Sequence, residues 1–207
     1  MPELPEIENA KRYFNRTSLN REIENIEVKT PQILNGTSEK ELRKAIQGRK
    51  FSEGKRHGKY LLAGLENGPW LVLHFGMSGD LKFVKPDEEK PPYTKMLIYF
   101  SDGSHLAYTS IRKFGNIALT PTLQEFIERK SLGPDALNLD FETFGEIISN
   151  RRGTIKYTLM NQKIIAGLGN LYTDEILFQT RIHPRAKSNE LDKETRRKLF
   201  SNLKAVL

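Results

Sequence analysis

The chain begins Met1-Pro2-Glu3-Leu4-Pro5-Glu6, and removal of Met1 would leave a secondary amine as the N-terminus with a carboxylate beside it. A secondary amine attacking a sugar aldehyde carbon gives an iminium directly, and the protonated iminium is an electron sink that promotes β-elimination. An α-amino group ionises at roughly 7.7–8.0, so it needs less tuning than a lysine, whose pKa must first be lowered by desolvation. Glu3 is placed to shuttle protons to a departing group or an opening sugar ring. The same residues also suit a plain helix start, since Pro fits a first turn and an early Glu complements the helix dipole.

Four further segments carry residues of chemical interest. Arg56-His57-Gly58-Lys59-Tyr60-Leu61-Leu62 puts a basic cluster at the start of an apolar strand. A lysine there is usually solvated, yet its fixed base suits it to grip phosphate. His74-Phe75-Gly76-Met77-Ser78-Gly79 ends an apolar strand with glycines on both sides of Met77. It reads either as a hairpin with a core Met or as an apolar wedge that fills the gap left when a base leaves the DNA stack. Tyr108-Thr109-Ser110-Ile111-Arg112-Lys113-Phe114-Gly115 offers adjacent cations and an aromatic on a loop, suited to phosphate contact and base insertion or to nothing beyond connection. Ala166-Gly167-Leu168-Gly169-Asn170-Leu171-Tyr172-Thr173-Asp174-Glu175 is a glycine-rich turn feeding a helix with Asn170 in its N-cap region. Exposed amides at such a start bind phosphate, although a cap alone would explain the pattern.

Composition sets the class of partner. The 207 residues fit one large or two small domains. A formal charge of +7 favours a polyanion, nucleic acid being the commonest. With no cysteine there is neither a disulfide nor a cysteine-ligated zinc, and His57, His74, His105 and His183 lack metal-ligand spacing, so no metal is expected. No basic-then-apolar leader and no apolar run near the roughly 20 residues of a membrane span is present. The expectation is a cytoplasmic protein with no membrane contact, in which the sequons at Asn15 and Asn35 are chance matches.

The elements that must position these residues follow from periodicity. Ile7, Ala10 and Phe14 predict a helix from Pro5 to about Arg16, and Ile26 and Val28 suit a strand. Ser38-Glu39-Lys40-Glu41 is a capping box opening a helix that ends near Gly48. Strand-like runs follow at Lys59–Leu65, Trp70–Phe75, Leu81–Val84, Met96–Phe100, His105–Thr109 and Gly115–Leu119, with hairpin signals at Asn67-Gly68 and Asp102-Gly103. This reads as an antiparallel sandwich or barrel-like sheet. From Leu123 the pattern is helical, with segments at about Phe141–Asn150, Thr154–Met160, Asn170–Thr180 and Asp192–Leu207. The boundary falls near Gly133-Pro134, giving domains 1–134 and 135–207.

Taken in order, Pro2-Glu3-Leu4-Pro5-Glu6, Gly58-Lys59-Tyr60-Leu61-Leu62, His74-Phe75-Gly76-Met77-Ser78-Gly79, Arg112-Lys113-Phe114-Gly115 and Gly169-Asn170-Leu171-Tyr172 resemble the formamidopyrimidine-DNA glycosylase / endonuclease VIII family of base-excision repair enzymes. The resemblance implies an α+β fold: an N-terminal antiparallel β-sandwich with a leading helix, then a helical helix-two-turn-helix domain. It implies a monomer acting on damaged double-stranded DNA, a DNA glycosylase with abasic-site lyase activity. By motif match Pro2 is the nucleophile, Glu3 the general acid/base, Lys59 an assisting catalytic and phosphate-binding base, and Glu6 a lesion or sugar contact. Met77, Arg112 and Phe114 match the void-filling residues, His74, Lys156 and Asn170 the DNA-backbone contacts, and Glu175 a support for the N-terminal pocket. Met77 with Arg112-x-Phe114 is closer to the formamidopyrimidine branch, which implies oxidised purines as substrates.

Two departures from the family pattern bear on activity. The family continues through a lesion-capping loop and a C-terminal zinc finger, so its zinc is expected beyond Leu207 and no cofactor is expected within this chain. A retained Met1 would turn the Pro2 amine into an amide, which cannot form the iminium. The alternatives to an enzyme are a non-catalytic damaged-DNA-binding fragment of the family and an RNA-binding helical module.

Overall fold

Leu4, Ile7, Phe14 and Ser18 fall along one side of a helical cylinder, and helix α1 (Leu4–Ser18) forms with that stripe buried. Pro5 sits in its first turn, where a missing N–H costs no intrahelical bond. The computed structural model describes residues 1–112 and 114–207; Lys113 of the basic loop lies outside them. These residues divide into two compact units, Met1–Phe126 and Ile127–Leu207.

The first unit continues through β1 (Ile23–Val28), a 3-10 turn at Pro31–Ile33 and α2 (Glu39–Ile46). Ser38 and Glu41 close the expected capping box, the Glu41 carboxylate accepting the Ser38 N–H at 2.7 Å. The remaining strands are β2 (Phe51–His57), β3 (Tyr60–Leu65), β4 (Trp70–His74), β5 (Gly79–Val84), β6 (Thr94–Phe100), β7 (His105–Ser110) and β8 (Asn116–Thr120). They pair antiparallel in two four-stranded sheets, β1-β6-β7-β5 and β2-β3-β4-β8. Ile26, Ile98 and Tyr108 of one sheet share a buried core with Leu61, Leu71 and Ile117 of the other, and Phe14 of α1 joins it. The fold is therefore the sandwich with a leading helix that the sequence implied.

Strand β2 is not evident from the sequence, because Phe51-Ser52-Glu53-Gly54-Lys55-Arg56-His57 contains a single large apolar residue. It is a strand because a two-residue turn, Gly58-Lys59, folds it back on β3 with His57 opposite Tyr60. Gly58 takes a positive φ of 54°, which a first central turn residue of this kind requires. Helix α1 packs against β2, and Gly54 permits that approach: a Cβ there would lie 2.8 Å from Phe14 Cδ1 and collide with Asn15 Oδ1.

The chain changes sheet three times, first from β1 to β2 by way of α2. It then passes from β4 to β5 and from β7 to β8. Because His74 pairs with Asn116 and Gly79 pairs with Ser110, the connections after β4 and after β7 start and end beside one another, and Gly76 lies against Phe114 and Gly115.

The second unit holds α4 (Phe141–Ser149), α5 (Ile155–Met160), α6 (Asn170–Thr180) and α7 (Lys193–Val206), and α3 (Leu123–Lys130) spans the division. Asp140 and Asp192 cap α4 and α7, each accepting an N–H at 2.7 Å. The Gly133-Pro134 punctuation, where the sequence places the change of domain, lies within this unit. Phe126 packs its ring 4.9 Å from that of Tyr60, while Gly133 N–H bonds Gln162 O and Ala166 N–H bonds Pro134 O, both at 2.9 Å. Both residues of the dipeptide are thus paired through their backbone.

Gly54→Ala tests the seating of α1. Overpacking of this kind costs roughly 1–3 kcal/mol, so urea denaturation should show a lower midpoint with an unchanged slope. An unshifted midpoint would mean that α1 does not sit against β2 as closely as described.

Candidate functional site

The N-terminal motif is both a helix start and a cluster of charges. Glu3 is the N-cap of α1, and with Glu6 it forms a reciprocal capping box in which the Glu6 carboxylate accepts the Glu3 N–H at 2.9 Å. Pro2, partly exposed, immediately precedes Glu3, which is only 3% exposed, while Glu6 is exposed. The helix geometry that the bland reading invoked is what fixes the carboxylate beside Pro2.

Lys59 differs from the solvated strand-start lysine that the sequence suggests. It occupies the β2–β3 turn and is 6% exposed. Burial pushes its ammonium below the ordinary lysine pKa, and the negative charges of Glu3 and Glu6 pull it part of the way back. The structure therefore brings Glu3, Glu6 and Lys59 within electrostatic reach of one another, next to Pro2. A carboxylate pair and a desolvated amine in such a place can bind an anionic group and move protons at it.

Sequence reasoning missed the supports of this cluster. Arg56, grouped above with a basic run, has a side chain 4% exposed and pairs with Glu8 of α1 at 3.0 Å. Its second donor reaches Gly58 O at 3.1 Å, so one guanidinium joins α1 to the turn that carries Lys59. Burial opposes ionisation of Glu8, but hydrogen bonds from Lys11 and Arg56 outweigh it and hold the carboxyl below its usual range. A signal existed in the sequence only as one charge of each sign, 48 residues apart.

The connections after β4 and after β7 bring Met77, Arg112 and Phe114 together. Met77 is 45% and Phe114 65% exposed, and neither is a core residue. Gly76, with φ +59°, leaves no room for a side chain: a Cβ would meet Phe114 C at 2.5 Å and Gly115 N at 2.6 Å. Arg112 N–H bonds Ser78 Oγ at 3.0 Å, its guanidinium lies 3.5 Å from Met77 Sδ, and Ser110 donates to Arg112 O. Beneath them the buried Tyr108 hydroxyl donates to His74 O at 2.9 Å. His74 itself accepts the Gly76 N–H through Nδ1 at 3.3 Å and packs its ring 4.9 Å from Tyr60.

In the helical unit Gly169 is the N-cap of α6 and Asn170 its exposed first residue. Lys156 of α5 pairs with Asp174, one turn further along α6, at 2.6 Å. Lys156 and Asn170 thus belong to one α5–α6 corner. Glu175 is exposed on α6 and accepts from Gln179 at 2.6 Å. Among the described residues no three His, Asp or Glu side chains gather about one point. No helix among the described residues is long and apolar enough to cross a membrane.

Comparison with known proteins identifies relatives with the same two parts. Residues 1–117 match the family model for the formamidopyrimidine-DNA glycosylase N-terminal domain, and residues 132–207 that for the formamidopyrimidine-DNA glycosylase H2TH domain. The formamidopyrimidine-DNA glycosylase of Heliobacterium modesticaldum is 35% identical over 215 residues, spanning 100% of this chain and 77% of that protein. A solved complex of Lactococcus lactis Fpg with DNA containing an abasic site superposes with a TM-score of 0.90 at 28% identity, covering 99% of this chain and 76% of that one. A second Lactococcus lactis complex, with DNA containing an oxidised pyrimidine, gives a TM-score of 0.90 at 29% identity over 99% and 77% of the two chains.

The charge cluster makes a prediction about Lys59. Glu6→Gln keeps the cap, since Gln serves equally at that helix position, but removes one of the charges holding the ammonium. Lys59, followed by NMR of dimethylated lysines, should then titrate lower still; an unchanged or higher value would break the proposed link. Because its folded pKa is depressed, the folded chain holds fewer protons than the unfolded one up to about pH 10.4. Stability gains from Lys59 as pH rises through that window, and Lys59→Met should abolish the gain.

Proposed function

The chain belongs to the formamidopyrimidine-DNA glycosylase family, and we propose that it is a base-excision repair glycosylase with abasic-site lyase activity, acting on damaged double-stranded DNA through Pro2. The observation that carries this reading is the buried Glu3 carboxylate, fixed by the α1 cap beside Pro2 and facing the charge of the buried Lys59. Met1, 60% exposed, must be removed first, which frees the Pro2 nitrogen.

The Pro2 nitrogen attacks C1′ of the damaged nucleotide and passes its proton to the Glu3 carboxylate. The glycosidic bond breaks, and the base leaves with its electron pair and gains a proton. Glu3 protonates the sugar ring oxygen as the ring opens, and the nitrogen lone pair forms the iminium to C1′. Loss of a C2′ proton then expels the 3′ phosphate by β-elimination, and water releases the enzyme. Lys59 supplies positive charge for phosphate at this centre, and Glu6 meets the sugar or lesion.

Opening a base pair leaves a gap, and Met77, Arg112 and Phe114 fill it from their adjoining loops. His74, Lys156 and Asn170 hold the DNA backbone. Lys156 makes an ion pair with Asp174 in which both side chains stay partly exposed, a weak pair that a phosphate can replace. Oxidised purines are the preferred substrates on the resemblance of Met77 and Arg112-x-Phe114 to that branch, and an oxidised pyrimidine is the informative comparison.

Borohydride should trap the Met1-free chain covalently on duplex DNA with an abasic site, and acetylating the terminal amine should abolish the adduct. Equal trapping of the acetylated chain would place the nucleophile elsewhere. Glu3→Gln should slow base release by about 10²–10⁴-fold while binding changes far less.

Phe114→Ala removes a stacking surface worth about 1–3 kcal/mol per base. Its cleavage of a duplex lesion should fall by a larger factor than its cleavage of a single-stranded abasic site. Equal losses on the two substrates would mean that Phe114 does not act by filling the opened pair.

A further inference from the structure

Between the end of α5 at Met160 and the N-cap of α6 at Gly169, the chain makes a turn around one side chain. Gln162 Nε2 donates to Met160 O at 2.8 Å and to Leu168 O at 2.7 Å, and Gln162 Oε1 accepts the Gly167 N–H at 2.9 Å. Met160 O belongs to the last turn of α5, where carbonyls lack intrahelical donors. Gly167 adopts φ +118°, open in practice only to glycine, and Leu168 is fully buried. The outer side of the turn is tied as well, through Gly133 N–H to Gln162 O and Ala136 N–H to Ala166 O, both at 2.9 Å.

The N-cap of α6 is a glycine and has no side chain with which to fix the first turn. The direction in which Asn170 emerges is therefore set from behind, by the residues immediately before Gly169. Two of them are held by the Gln162 amide, whose two donors and one acceptor match two carbonyls and an N–H. A carboxylate of equal length has no donor, and an alkyl chain has neither.

We propose that Gln162 is a positioning residue for DNA-backbone binding: it fixes the turn that aims Asn170 at a phosphate. This rests on the reading of Asn170 as a backbone contact. It assigns Gln162 no contact with DNA.

The test uses the 207-residue chain and duplexes carrying a tetrahydrofuran abasic-site analogue, in which single phosphates are replaced one at a time by neutral methylphosphonates. Asn170→Ala identifies the phosphate it touches as the one to whose replacement the variant has become insensitive. Gln162→Ala should lose sensitivity at that phosphate and retain it elsewhere. Its affinity should fall roughly three- to tenfold, the scale of one hydrogen bond. The double variant should bind no more weakly than Asn170→Ala alone. Gln162→Met preserves side-chain bulk and carries the same test if Gln162→Ala folds poorly.

Uniform weakening across all phosphates, full additivity with Asn170→Ala, or a lowered Tm with parental binding would overturn the proposal and leave Gln162 a purely structural residue. If Asn170→Ala itself binds and senses every phosphate as the parent does, the DNA reading of α6 fails, and the Gln162 proposal falls with it. Parental behaviour of the Gln162 variants beside a defective Asn170→Ala would remove the Gln162 proposal alone.

Discussion

The pairing of Arg56 with Glu8 is the joint on which the N-terminal centre depends. Both side chains are largely withdrawn from water, and desolvation cancels much of the attraction that such a pair gains, so its net worth to stability is small. Breaking it by removing one partner is another matter, since the charge left behind has nothing to compensate its burial. The pair is best understood as a geometric device. It commits α1, with Glu3 at its cap, to one position against the turn that holds Lys59. Glu3 and Lys59 are 56 positions apart in the chain, and neither has local reasons to find the other.

The second working surface is built differently. The wedge loops are not stabilised by burying their functional side chains, because Met77, Ile111 and Phe114 all remain exposed. Their alignment comes from small residues and backbone beneath them. Gly76 lets one loop lie on the other, Gly115 leaves room for the Tyr108 hydroxyl, and Ser78 and Ser110 bond the backbone around Arg112. Three apolar side chains can thus face solvent without collapsing into the core, which already has its own aromatic floor in Phe75 and Tyr108.

Much of this was legible because local pattern and tertiary outcome agree. The period of α1, the capping box of α2, the alternating strands and the Asn67-Gly68 and Asp102-Gly103 turns all act over a few residues. So do the glycines around Met77, which announce a tight loop wherever the strands go. Strand β2 was hidden because its stability comes from β3 and α1 rather than from its own composition. The strand start alone left Lys59 open between a solvated and a functional charge, because its burial and its neighbours Glu3 and Glu6 come from residues far away in sequence. Composition marks Gly133-Pro134 as punctuation but cannot reveal that both residues are paired with the segment around Gln162. Arg56 and Gln162 share that invisibility: each is an ordinary polar residue until its partners are assembled.

Tyr108 has an implication for acidity and alkalinity. Its phenol holds the His74 carbonyl, and this bond exists only while the hydroxyl keeps its proton. Burial pushes the phenol's pKa well above the ordinary tyrosine value. The Tyr108–His74 bond therefore persists throughout the neutral and mildly basic range. Above about pH 10 the unfolded chain gives up that proton while the folded chain keeps it, and stability starts to decline. Ionisation of the wedge platform is thereby separated from ionisation at the N-terminal centre, so one can titrate while the other stays rigid.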